Sequence, residues 1–252
     1  MSSLRLVSLC LALLACLPAV ALPDVADQFA MGNDFYEKRD YSSAIRMYEA
    51  VLNDGVESAT LYYNLGNAYF KSGDRGRAVL NYLRAKRLDP ADEDLNHNLE
   101  FALRFAQVQM EGVELNPIRA FFQSLIGPYR LTTLAWFSSA LFVLLVVLLI
   151  ARFGIGLSTS ALRVAVTVVL VLTLASAGLT TFKYRTDYLA RTAVILSDDA
   201  VVLAGPTANA DVEFRGASGL VVEILTESGE YANVLFENKR RGWVHKDLVA
   251  EI

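Results

Sequence analysis

The stretch Leu131–Phe153, LTTLAWFSSALFVLLVVLLIARF, followed by Val164–Phe182, VAVTVVLVLTLASAGLTTF, decides how the rest of the chain must be read. The first run has no charge before Arg152, and the second has none at all. At a helical rise of about 1.5 Å per residue, runs of this length match a hydrocarbon core of roughly 30 Å. A backbone in lipid must satisfy its hydrogen bonds internally, so both runs predict helices. Between them, RFGIGLSTSALR supplies glycines and serines for a tight return, with Arg152 and Arg163 at its ends. The expectation is a membrane hairpin, 131–153 and 164–182, with a soluble domain on each side in sequence. Neither run holds Asp, Glu, His or Lys, so a proton relay or ion path has no groups to use and an anchor is the expected role. Ala135 with Ser139, and Thr173 with Ala177, are small pairs at helical spacing that would let the two helices touch.

Outward from the hairpin, the 252 residues are 54% apolar and carry a formal net charge of −4. No Lys/Arg stripe stands out, which gives no reason to expect nucleic-acid binding. The first residues, MSSLRLVSLCLALLACLPAVALP, read as a signal peptide, 1–21. Arg5 is its positive end, Leu6–Ala15 its apolar centre and Ala19-Val20-Ala21 its small-x-small cleavage site. A lipoprotein signal acylated at Cys16 and an uncleaved anchor are the alternatives. Cleavage after Ala21 would remove both cysteines, Cys10 and Cys16, and with them any disulfide or cysteine metal site. All three readings put the next residues outside the cytoplasm, and two spans then return the C-terminal domain to the same side. Arg152 and Arg163 in the return loop agree with positive-inside bias, whereas Arg119, Arg130, Lys183, Arg185 and Arg191 near the outer ends oppose it.

The region 22–110 is governed by an internal repeat. At a spacing of 34 residues Gly32 matches Gly66, Asn33 matches Asn67, Phe35 matches Tyr69, Asp40 matches Asp74, Ala44 matches Ala78 and Tyr48 matches Tyr82. Residues 25–58 and 59–92 resemble two tetratricopeptide repeats, each a helical hairpin in which the glycines and alanines allow close approach and the aromatics fill the space. Pro90 ends the second unit. Residues 93–110 keep the helical period through Leu95, Leu99, Ala102, Leu103 and Ala106, with Glu100 in place of the glycine, as expected of a capping helix.

The tetratricopeptide resemblance implies an extended peptide held along the concave face of the first helices. The matching positions are Phe29, Asn33 and Tyr36, then Tyr63, Asn64, Asn67 and Phe70, then His97, Phe101 and Arg104. Asn33 and Asn64 fall where carboxylate-clamp members keep asparagines. Phe29, Asp94 and Asn98 stand where those members keep basic residues, so a strict C-terminal carboxylate clamp is not expected. Asn33 and Asn67 could equally bond neighbouring backbone, and Tyr63 and Phe70 could pack on an adjacent helix. Residues 111–130 follow, where Ile118, Phe121, Phe122, Leu125 and Ile126 recur at helical spacing before Gly127-Pro128. That pattern predicts either an interfacial helix on the bilayer or a helix packed under the repeats. Trp136 and Tyr184 suit interfacial aromatics.

Residues 192–252 change to short β-type runs, TAVIL, AVVLAGP, VEFRGASGLVVEILTES, YANVLFEN and RGWVHKDLVAEI. Val222, Ile224, Val234, Leu235, Phe236, Trp243 and Val244 are the expected core, with Trp243 buried rather than serving as a peptide platform. Gly205-Pro206, the strand from Gly219, the strand Tyr231–Phe236 and the ending Gly242-Trp243-Val244 resemble a bacterial SH3-like barrel. His97 and His245 lie in different domains, which disfavours a histidine metal site. No phosphate loop, nucleophile elbow or carboxylate pair is present, so the expectation is a non-enzyme without cofactor or metal.

The fold class expected is therefore a multidomain membrane protein: an all-α tetratricopeptide-repeat domain, two transmembrane helices and a small all-β SH3-like barrel. The order of these parts is similar to that of the BatE family of bacterial membrane proteins. The resemblance implies an inner-membrane scaffold with both soluble domains periplasmic. Its implied partners are von Willebrand factor A-type Bat proteins and a MoxR-type ATPase, in aerotolerance or envelope stress. The rival expectation is a membrane-anchored module that binds peptidoglycan peptide.

Overall fold

A computed structural model describes residues 25–107, 117–156 and 159–252. The leader with its two cysteines, the last residues of the capping segment and the start of the juxtamembrane segment lie outside the described residues.

Five helices form the N-terminal stack: α1 (Val25–Glu37), α2 (Tyr41–Asn53), α3 (Ala59–Ser72), α4 (Arg75–Leu88) and α5 (Glu93–Gln107). Their starts are written in short polar residues. The Asp40 carboxylate accepts from the Ser43 N–H, the Ser58 hydroxyl from Leu61, and the Asp74 carboxylate from Arg77, filling orphan donors of the first turn. Gly73, at φ +93°, turns the chain out of α3. The repeat governs packing as well as punctuation. A Cβ on Gly32 would lie 2.5 Å from the Tyr48 ring, and one on Gly66 would lie 2.7 Å from Tyr82. Each first helix therefore lies directly on the buried tyrosine of its own second helix. Ala44, Leu61, Leu65, Ala68, Ala78, Val79, Ala85, Leu95, Leu99 and Ala102 complete the core.

Helix α6 (Pro117–Ile126) follows, then the two long apolar helices α7 (Leu131–Leu149) and α8 (Ser160–Tyr184). One π-turn, Ile150–Gly154, ends α7, and another, Arg185–Leu189, ends α8. Both helices are long and apolar enough to cross a membrane, and only 6% and 11% of their most apolar windows are buried. A core helix of a soluble domain would be covered on most sides. The helices meet through Leu145, Thr173 and Ser176, all buried, and through the Ser138 and Thr180 hydroxyls 3.0 Å apart. This corrects the expected small-residue pairs: Ala135, Ser139 and Ala177 are exposed, and of the four only Thr173 lies in the contact. Helix α6 packs on α8 through Phe122 against Phe182, ring centroids 5.6 Å apart, and leaves Phe121 and Leu125 outward.

The C-terminal region is one antiparallel sheet of seven strands: β1 (Thr192–Ile195), β2 (Ala200–Leu203), β3 (Val212–Gly216), β4 (Val221–Ser228), β5 (Tyr231–Phe236), β6 (Arg241–His245) and β7 (Val249–Glu251). Their order is β3-β2-β6-β5-β4-β1-β7. The inner face buries Ala193, Ile195, Val202, Val222, Ile224, Val234, Phe236 and Val244. Trp243 and Leu235 are not part of that core, contrary to expectation. Along β6, Gly242 and Val244 are buried while Trp243 is half-buried, because alternate residues of a strand face opposite ways. Gly242 takes the inward place, where an added Cβ would lie 2.5 Å from Val202 Cγ1.

The sheet docks on the helical stack. Val194, on the face of β1 opposite Ala193 and Ile195, is fully buried in the helical core, joined by Leu196, Val221, Ala250 and Ile252. Gly76, in the first turn of α4, permits this: a Cβ there would lie 2.8 Å from Leu196 Cα and from its carbonyl oxygen. Arg84 donates to the Glu251 carbonyl at 2.9 Å, and Arg87 donates to those of Ile252 (2.6 Å) and Asp187 (2.8 Å). Helix α4 is thus the shared wall between repeats, sheet and the emerging end of α8.

Candidate protein-binding groove

The first helices of the repeats, α1 and α3, and the capping helix α5 line a concave face floored by asparagines. Asn33 Oδ1 accepts from the Tyr48 hydroxyl at 2.7 Å and from Asn64 Nδ2 at 3.1 Å. One repeat later, Asn67 Oδ1 accepts from the Tyr82 hydroxyl at 2.7 Å and from Asn98 Nδ2 at 3.2 Å. Asn98 Nδ2 also reaches the Tyr63 hydroxyl at 2.8 Å. The same three-part unit, a tyrosine from the second helix and asparagines from successive first helices, therefore occurs twice at the period of the sequence. Asn33 and Asn67 bond these side chains, not the neighbouring backbone.

Burial pushes the Tyr48 phenol up to about 12 and raises Tyr82 and Tyr36 as well. These hydroxyls stay neutral donors across the physiological range. With the asparagine oxygens doubly occupied, Asn33 Nδ2 and Asn67 Nδ2 have no partner among the described residues. An amide in this setting presents a donor to whatever enters the groove, and the assignment of its oxygen and nitrogen follows from the network around it.

Two adjoining cavities mark the open space. One, of about 230 Å³, is lined by Asn33, Tyr36, Glu37, Tyr48, Asn64 and Asn67. The other, of about 330 Å³, is lined by Tyr36, Tyr63, Asn67, Phe70, Lys71, Tyr82, Asn98 and Phe101. They share Tyr36 and Asn67 and so form one groove. Of the residues expected to face it, Asn33, Tyr36, Tyr63, Asn64, Asn67, Phe70 and Phe101 come together there. His97 and Arg104 line neither cavity, and Arg104 is ion-paired with Glu100 at 2.7 Å on the exposed side of α5. Phe29 instead packs on Tyr48, ring centroids 5.8 Å apart. Glu37 and Lys71 were not anticipated, although they match each other at the repeat spacing, as Asn64 matches Asn98.

Among the described residues no cluster of three or more His, Cys, Asp or Glu side chains could hold a metal ion. Neither cavity contains an acid–base pair poised for chemistry; what the groove offers is hydrogen-bond donors, acceptors and aromatic faces.

Comparison with known proteins agrees with this geometry. Residues 29–93 match the tetratricopeptide repeat family, a class whose domains mediate protein–protein interactions. No curated protein matches the chain.

Proposed function

We propose that this chain is a non-enzymatic, membrane-anchored scaffold that captures an extended segment of a partner protein in the groove between α1, α3 and α5. The observation that carries this reading is the pair of amide donors Asn33 Nδ2 and Asn67 Nδ2, which have no partner among the described residues while their own oxygens are doubly occupied. An extended peptide has carbonyls at regular intervals and suits such a floor. The opposite side of α4 is covered by the sheet, which leaves the concave side as the open face of the repeats.

The anchor is the pair α7 and α8, whose apolar flanks are exposed along most of their length. In this reading both soluble parts lie on the periplasmic side of a bacterial inner membrane, and the sheet is an SH3-like module. The similarity in domain order to BatE proteins supports a place beside Bat proteins and a MoxR-type ATPase. Peptidoglycan peptide is the alternative ligand. The seven-strand order, with the 3₁₀ turn Lys246–Leu248 before β7, is compatible with the SH3-like module.

Asn33→Asp combined with Asn67→Asp tests the groove. Aspartate keeps an acceptor for Tyr48 and Tyr82 but removes the Nδ2 donor. Co-purification from gently solubilised membranes should then lose the partner, while the circular dichroism spectrum is unchanged. Undiminished capture by a folded double variant would move the site away from the groove.

A further inference from the structure

The groove is chemically uneven, and its far end has a definite preference built into it. Phe70, Phe101 and Phe105 form a ring cluster at the junction of α3 and α5, with centroids 5.2–6.0 Å apart. Two of the three are unusually open for large apolar side chains, Phe101 at 47% and Phe105 at 40% exposure. Two cations border them. Lys71 lines the same cavity as Phe70 and Phe101, and the Arg75 guanidinium lies 5.1 Å from the centre of the Phe105 ring. Neither cation has an acidic partner among the described residues, unlike the neighbouring Arg77, paired with Asp74, and Arg104, paired with Glu100.

Helix geometry accounts for part of this. Lys71 occupies the last turn of α3, where a cation is favoured by the helix dipole. Arg75 begins α4, where the dipole disfavours it, so its position has no intrahelical reason. Among the described residues its guanidinium meets the face of Phe105, an exposed ring. Apolar rings flanked by unmatched cations complement a segment in which an apolar or aromatic side chain is bordered by carboxylates. A ring entering the cavity of about 330 Å³ would find Phe70 and Phe101 as edges to pack on. Its flanking acids would meet Lys71 and Arg75, and its backbone would lie over Asn67.

The geometry points to an acidic–aromatic peptide segment as the partner of this groove, with the aromatic residue seated between Phe70 and Phe101 and the acids on Lys71 and Arg75. This specificity rests on the groove reading proposed above and deepens it.

The test uses the full chain in lipid nanodiscs and fluorescence anisotropy with three blocked nine-residue peptides in a Gly/Ser background. Their centres are Asp-Phe-Asp, Lys-Phe-Lys and Asp-Ala-Asp. The first should bind at least tenfold more tightly than either of the others, and Lys71→Glu with Arg75→Glu should reverse the order of the first two. Both positions are exposed, so the variant is expected to keep its fold, with an unchanged melting midpoint as the control. Equal binding of the Asp and Lys peptides, still lost on Asn33→Asp with Asn67→Asp, would overturn the charge preference and leave the groove reading intact. Binding of none of the three, or binding indifferent to the asparagine variant, would overturn both. Self-association of the chain that depends on Phe101 would instead make this face a contact between copies, and the peptide inference would fall.

Discussion

Asn67 accepts two hydrogen bonds through one oxygen, and that arrangement changes how the residue can be probed. Replacing Asn33, Asn64 and Asn67 together with alanine strands the buried Tyr48 and Tyr82 hydroxyls, at a cost of about 1–3 kcal/mol for each unsatisfied group. Helical stability would fall along with binding, and the two effects would be mixed; the aspartate variant separates them. Gly66 is a sharper structural probe. Gly66→Ala drives a methyl into the Tyr82 ring, which is 2% exposed and has no room to withdraw. The expected loss is about 1–3 kcal/mol, read as a lower thermal midpoint of the helical signal. Lys86 is a residue whose charge opposes the fold. Burial, and then the nearby Lys183, hold its amine below the ordinary value of 10.5. In the window below 10.5 where the folded group has already lost its proton, the unfolded chain still binds one, so stability rises with pH there. Lys86→Met should raise the midpoint by a few degrees at pH 7.5 and flatten that rise. A midpoint lowered by this change would show that the amine is stabilising instead.

At the scale of elements, α8 does more than the apolar run requires. The helix continues past Phe182 through Lys183 and Tyr184, and its π-turn brings Asp187 and Tyr188 against α4. Lys183, only 6% exposed, pairs with Asp187 at 2.8 Å, and Arg87 lies 5.4 Å from the centre of the Tyr188 ring. Arg130, just before α7, pairs with Asp89 at 3.3 Å. These cations near the outer helix ends, which oppose the simple charge bias of the loop, thus have work within the fold. Gly76 offers the corresponding test of domain docking. Gly76→Ala collides with backbone at Leu196, which cannot rotate away as a side chain could. Amide exchange should rise across β1 and the first turns of α4 while the α1–α2 pair stays protected; unchanged exchange in β1 would show that the contact is not needed. Within the sheet, Trp243→Ala should cost well under the roughly 3–5 kcal/mol of a core tryptophan. Gly242→Ala, aimed at Val202, should cost about 1–3 kcal/mol. Thermal melts of both variants would reverse that order if Trp243 were the buried residue.

For the molecule as a whole, contacts between α4 and the sheet require the repeats and the C-terminal domain to share one side of any membrane the hairpin crosses. A reporter active only outside the cytoplasm, fused after Gln107 in one protein and after Ile252 in another, should therefore give matching readings. High activity from both is the expected result for periplasmic domains, and opposite readings would break the hairpin topology. The sheet, the end of α8 and the repeats meet on α4, with Arg84 and Arg87 bonding the carbonyls of Glu251, Ile252 and Asp187. The membrane anchoring proposed above also bears on affinity. Two repeats and a cap offer a short groove, so intrinsic binding of about 1–100 μM is expected, raised when both molecules sit in one membrane.

What the sequence determined by itself is whatever repeats or runs along the chain. The 34-residue match of glycine, alanine and tyrosine located both helical pairs, because those residues pack on neighbours within one repeat. The uncharged runs located α7 and α8 for the same reason: length and composition suffice. The seven shared groove residues were legible because repeat spacing places them on one face. Tertiary structure decided the rest. Tyr48 and Tyr82 read as space-fillers until their hydroxyls meet Asn33 and Asn67 across the helical pair. Trp243 is the bulkiest apolar residue of its strand, yet strand alternation gives the inward places to Gly242 and Val244. Gly76 looks like an ordinary residue of a second helix, and only the approach of Leu196, 120 positions later in the chain, explains why no side chain fits there. Such choices depend on surfaces distant in sequence coming together, and no local pattern records them.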